Sequence, residues 1–367
     1  MTISPSVARK LALLIAPGGP AFTQTAAQAF AEDLRMGAQK AQTIVRELTG
    51  LDAAVEAARG VSPVVLDRPG WAYGAAQSID AMIELSNSSV KGFNSLTAGA
   101  ALAAIARLVM GQYDPYTREG GAEKRENNAK RHGYQNANQK VNQKSSGRIL
   151  LNAPVIAQFC TQYDLDQRDL CTWVCVHEFT HAVQFHEAPW LKDYVLDHFV
   201  QILSDEKLGS EKEGDIFESD AMRELTAVMS LLEGHAEFVM NAVPVARMPG
   251  KNRIISAMES KRKEKNALMR VLAKNLSLDK KAQQYKSGAQ FVQKVHEIAG
   301  QEVFNRVWAS SATVPTCEEL SSPEAWIARV SAESCAAAAV SSVVSTDADL
   351  DLAALPSEAE YSTTLER

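Results

Sequence analysis

The chain has 367 residues, enough for one large domain or two ordinary ones, and 46% hydrophobic with 22% charged residues is the balance of a soluble globular protein. A formal net charge of −6 argues against nucleic acid as the main partner. No apolar run reaches the length of a membrane span, so no membrane association and a cytoplasmic location are expected. The five cysteines, Cys160, Cys171, Cys175, Cys317 and Cys335, lack scaffold-like spacing and fit reduced thiols in that compartment.

In chain order, "QTAAQAFAEDLRMGAQKAQTIVRELTG" predicts an early helix with Gly50 as its C-terminal cap. "SPVVLDRPGW" reads as a short extended piece closed by a turn. "TAGAALAAIARLVMG" reads as an apolar helix ending at Gly111. Residues 118–148 hold eight Lys/Arg against three Asp/Glu with no apolar periodicity, which predicts a basic flexible loop. Such a loop is either a solvated insertion or a contact for an acidic or phosphorylated partner. "RILL" predicts a strand able to pair with an extended peptide if it lies at a sheet edge. Asn152 is placed to cap the next helix, which has Pro154 in its first turn. The expected organisation is a helical segment, 1–60, packed on a main domain of 61–331, whose bounds follow a family resemblance described below, with 332–367 as an acidic disordered tail.

The chemistry lies in "CTWVCVHEFTHAVQFHEAPWL". Asp166 caps a helix that runs to about Glu187, before Pro189. His177 and His181, four residues apart, share one face and can reach one ion. Glu178 is turned by about 100° from His177 and suits a general base acting on water at the metal. His186 projects away from His177, and Cys171 and Cys175 face the other side. The helix is apolar nearly all round and so predicted to be buried, where paired histidines are costly unless ligated.

A third ligand is sought in "SDAMRELTAVMSLLEGHAEFVMNAVP". Ser219 or Asp220 is the cap, and Leu225, Val228, Met229, Leu232, Ala236 and Val239 form the predicted apolar stripe. Glu233 lies nearer that stripe than Glu237 and is the favoured ligand on geometry. His235, at the opposite margin, reads either as a core histidine or as a donor to a developing oxyanion.

Together with "VLDRPGW", "GQYDP", "GRILLNAPVI", "KKAQQYKSGAQFVQKV", "FNRVW", "VPTCEEL" and "PEAWIARV", these blocks resemble the zincin-like metallopeptidase type 2 family over about residues 60–331. Some members of that family carry a label linking them to deazaflavin-coenzyme biosynthesis. The resemblance implies a mainly α fold with a small sheet, α+β in class, built around the His-Glu-x-x-His helix. "EGHAEF" is also similar to the "EGFAEY" element of gluzincin aminopeptidases, whose first glutamate binds zinc, and that glutamate corresponds to Glu233. The resemblance thus implies one Zn²⁺ per chain on His177, His181 and Glu233, with Glu178 as general base; the developing oxyanion needs a donor besides the metal, for which Tyr285 and His235 are the candidates. The substrate would be a peptide or protein. Two alternatives stand beside it: a metal-binding regulatory or scaffold protein without turnover, and nucleic-acid or phosphoprotein binding through the basic loop.

Overall fold

A computed structural model of the protein describes residues 4–16, 18–86, 95–117, 147–204, 219–261 and 288–332. Tyr285, nearly all of the basic stretch and nearly all of the acidic tail lie outside the described residues. The fold is mainly helical with one small sheet, as expected. No helix among the described residues is long and apolar enough to cross a membrane.

Helix α1 (Pro5–Ile15) is followed by α2 (Gln24–Thr49) and α3 (Asp52–Ala58). The predicted cap is present: Gly50 adopts φ 65°, which a glycine takes without steric penalty, and its N–H reaches the Arg46 carbonyl. Strand β1 (Pro63–Leu66) then leads into α4 (Arg68–Leu85), and α5 covers Ser95–Ile105. The expected turn after β1 is thus a helix start. Asp67 accepts the Gly70 N–H at 2.7 Å and a proline occupies the first turn, two strong initiation signals that also resemble loop signals.

Strands β2 (Gly111–Asp114) and β3 (Arg148–Asn152) complete a sheet of order β1-β3-β2, with β1 parallel and β2 antiparallel to β3. This corrects two expectations. Gly111 starts a strand rather than ending a helix. The "RILL" strand is central and paired on both sides, so it has no edge to offer a peptide; β2 holds that edge.

Seven further helices follow among the described residues: α6 (Ala153–Gln162), α7 (Gln167–Glu187), α8 (Trp190–Ser204), α9 (Asp220–Ala242), α10 (251–261), α11 (Gly288–Asn305) and α12 (323–332). Asn152 precedes α6 without capping it; its side-chain amide instead donates to the Ala106 carbonyl at 2.9 Å. That buried bond ties the end of β3 to the end of α5.

The main core is built around α7, which is buried along nearly its whole length. Helix α2 lies along it, and the two backbones come close at Gly37, where an added Cβ would stand 3.0 Å from the Cys171 and Thr172 backbone. A second apolar cluster joins α1, α4 and α5. Between the clusters, Asp114 is fully buried and accepts from Ser78, Arg148 and the N–H groups of Tyr116 and Thr117. Arg148 also donates to Gln77 and to the Gly74 carbonyl. A buried charge pair is tolerated when its remaining donors and acceptors are satisfied, and here they fix the sheet to α4. Arg148, the last residue of the basic stretch, thus belongs to this network rather than to a loop.

Candidate metal centre

Helix α7 begins and ends where its local signals place it. Asp166 accepts the Asp169 N–H at 2.9 Å, and the helix closes at Ala188, before Pro189. One face then carries His177 and His181, whose Nε2 atoms stand 3.1 Å apart with the rings nearly perpendicular. Helix α9, capped by Ser219, supplies Glu233 from across the cleft. One carboxylate oxygen is 3.5 Å from His177 Nε2 and the other 3.5 Å from His181 Nε2. A donor atom from each of the three side chains lies within 4.8 Å of the other two.

These spacings suit a small cation. Ligand atoms about 2.0–2.2 Å from a tetrahedral zinc are separated by about 3.3–3.5 Å, close to the distances found. The electrostatics agree. Burial opposes a charge on His181, yet the hydrogen bond and charge of Glu233, helped by Glu178 and Gln184, lift its pKa to about 9. The surroundings of His181 Nε2 therefore favour positive charge.

The far side of His181 is held by Gln184. Gln184 Oε1 lies 2.8 Å from His181 Nδ1, while its Nε2 donates to the Leu232 carbonyl at 3.0 Å. Since that carbonyl can only accept, the amide orientation is determined, and Nδ1 must carry the proton. In the neutral imidazole, the form that ligates a metal, Nε2 then holds the lone pair aimed at the cleft.

His235 occupies a different place from the one expected of an oxyanion donor. It is buried behind Gln184, with Nδ1 3.0 Å from the amide nitrogen, and its ring packs against Phe304 and Trp308. Burial, with His296 and His181 adding to it, pushes its pKa down to about 3, so it is neutral and accepts from Gln184. Gly300, at φ 80° and ψ 177°, breaks α11 in a conformation few other residues adopt and turns Phe304 towards this ring.

Helix α9 presents a face rotated from the predicted stripe. Met229 is 42% exposed, while Leu231, Gly234 and His235 are buried. The cause is tertiary. Gly234 meets Gly288 so closely that a Cβ on Gly234 would lie 2.2 Å from the Gly288 carbonyl carbon. This seats α11 on α9 and leaves Glu233, 56% exposed, at the mouth of the cleft rather than towards the core. Glu237, one turn on, is outside the donor cluster. His186 bonds back to the Ala182 carbonyl and is outside it too.

Glu178 lies beside the donor set without belonging to it. It is 4% exposed and accepts a backbone hydrogen bond from Tyr113 of β2. Burial, with Glu233 adding to it, pushes its carboxyl up to about 7 against the opposing influence of His181 and that N–H. Gly111 lies directly over it: a Cβ there would stand 2.5 Å from Glu178 Oε1. The sequence marks Gly111 only as a helix end, and no local signal there points to Glu178.

The cleft continues into a cavity of about 320 Å³ bordered by His177, Glu178 and Glu233. A larger cavity, near Glu224 and Cys317, contains none of these residues.

Comparison with known proteins finds no match among curated ones. Among solved structures, a protein from Chloroflexus aurantiacus described as a candidate hydrolase with a novel fold matches with a TM-score of 0.57 and 24% identity. The match covers 90% of this chain and 99% of the other, and at that identity it speaks for the fold. The model of a family described as zincin-like metallopeptidase matches residues 3–216 and 209–327, on either side of both ligand-bearing helices and across them. With nearly its whole length matched in this way, the chain belongs to the zincin-like metallopeptidase family.

Proposed function

We propose that the protein is a zinc-dependent hydrolase that cleaves a peptide bond, with His177, His181 and Glu233 as the metal ligands and Glu178 as general base. The observation that carries this reading is the position of Glu178. It is a buried carboxylate next to the donor set but outside it, with a pKa raised to about 7. A purely structural centre has no use for such a group and would be closed by a fourth protein ligand.

A bound zinc would supply Lewis acidity, bringing water towards ionisation near neutral pH and polarising the carbonyl of the bond to be cut. The chain's own residues do the rest. Gln184 holds His181 in the ligating tautomer. Glu178 takes a proton from the attacking water at its carboxylate and returns it to the leaving nitrogen. Gly111 keeps the space over Glu178 free of side chain. The outer edge of β2 adjoins the cavity at Gly111 and suits an extended substrate backbone there.

The test is peptide cleavage by the zinc-loaded protein beside Glu178→Gln, using a mixed-sequence peptide set and product detection by mass. Cleavage by the wild type, with a loss of about 10²- to 10⁴-fold in Glu178→Gln at unchanged metal content, is the expected result. Equal rates in the two proteins would refute the assignment of Glu178.

A further inference from the structure

The geometry points to the 320 Å³ cavity beside the metal ligands as a subsite for one apolar side chain of the substrate, of the leucine, methionine or phenylalanine class. The inference rests on the metal-dependent hydrolase reading and adds its specificity. The walls are Leu108, Met110, Trp173, Val174, Met240 and Met258, contributed by the segment before β2 and by α7, α9 and α10. His177, Glu178, Glu233 and Gly111 stand in the same lining, so a side chain in the cavity belongs to a residue adjoining the bond over the metal.

Size and chemistry narrow the occupant. A volume of about 320 Å³ is at the lower end of ligand cavities, which begin at about 300 Å³, and suits one side chain with its adjoining backbone. Among the described residues, three of the six apolar wall residues are methionines, whose unbranched thioethers adapt to several apolar shapes. The preference should therefore be for a class rather than for one residue. Lys261 is also in the lining. If it governed recognition, an acidic side chain would be favoured instead, and that alternative is separable by experiment.

The test uses the zinc-loaded full-length chain and three N-acylated amino-acid hydroxamates, those of glycine, leucine and glutamate, titrated calorimetrically. The hydroxamate head is common to all, so the differences report the side-chain pocket without requiring turnover. The leucine compound is expected to bind at least about tenfold more tightly than the glycine compound, with glutamate no better than glycine. Met258→Asp, at a half-buried position on α10, should reduce the leucine advantage to below about threefold and leave glycine binding unchanged. Leu108→Asp, at a side chain already 56% exposed, makes the same test if Met258→Asp fails to fold. Equal affinities, or a preference for glutamate, would overturn the proposal. Failure of every hydroxamate to bind would overturn it together with the metal centre. A leucine preference without any peptide cleavage would support the pocket and remove the peptidase reading, whereas cleavage with no side-chain preference would remove the pocket alone.

Discussion

At the scale of single residues, the proposed centre depends on a side chain that touches no substrate. Gln184 accepts from His181 Nδ1 with its oxygen and donates to the Leu232 carbonyl and His235 Nδ1 with its nitrogen. It thereby links the ligand helix α7 to α9, the helix of Glu233. Gln184→Leu retains the bulk and removes the bonds, so zinc affinity should fall by about 10- to 100-fold in competition with a chelating dye. Affinity unchanged within about twofold would show that Gln184 does not set the His181 tautomer. His235 lies behind the donor set rather than in it. Neutral and enclosed by Phe304 and Trp308, it is an acceptor that orients Gln184. The sequence leaves its role open between core and catalysis because helical angles place a residue on a margin without saying what packs there.

At the scale of elements, legibility depends on how local the determinants are. Helix α7 could be bounded almost to the residue, since Asp166 and Pro189 are adjacent signals that act on the backbone directly. Strand β2 could not be read: four residues, one of them glycine, carry too little periodicity, and Gly111 is required by Glu178, 67 positions away. Periodicity misplaces the face of α9 at Met229 for a similar reason, because its orientation is set by contact with α11 at Gly234 and Gly288. Gly234→Ala should therefore do more than a helical glycine-to-alanine change usually does. Propensity alone favours alanine by about 1 kcal/mol. Here the new methyl would meet backbone atoms, which cannot swing aside, and overpacking of this kind costs about 1–3 kcal/mol. The expected outcome in denaturant titration is a net loss of stability, together with weaker zinc binding because Glu233 is the preceding residue. A more stable variant with unchanged metal affinity would mean that the two helices separate at little cost.

At the scale of the whole molecule, the fold brings together groups that are far apart in the chain. The large core fixes α7 between α2 and α9, and the Asp114–Arg148 network holds the sheet in register so that β2 lies against Glu178. The long separation between His181 and Glu233 is spanned by α8 and by residues outside the described set, and it does not prevent the three side chains from converging. The family and the mainly helical architecture were legible from ordered motif blocks; which cavity adjoins the His177, Glu178 and Glu233 side chains was not, since its described walls come from four separate segments. The most direct measurement is zinc content and affinity of the purified wild type beside Glu233→Ala and Glu237→Ala. About one zinc per chain, lost in Glu233→Ala and kept in Glu237→Ala, is the expected result. Zinc retained by Glu233→Ala, or a wild type that takes up none when zinc is supplied, would contradict the proposed centre.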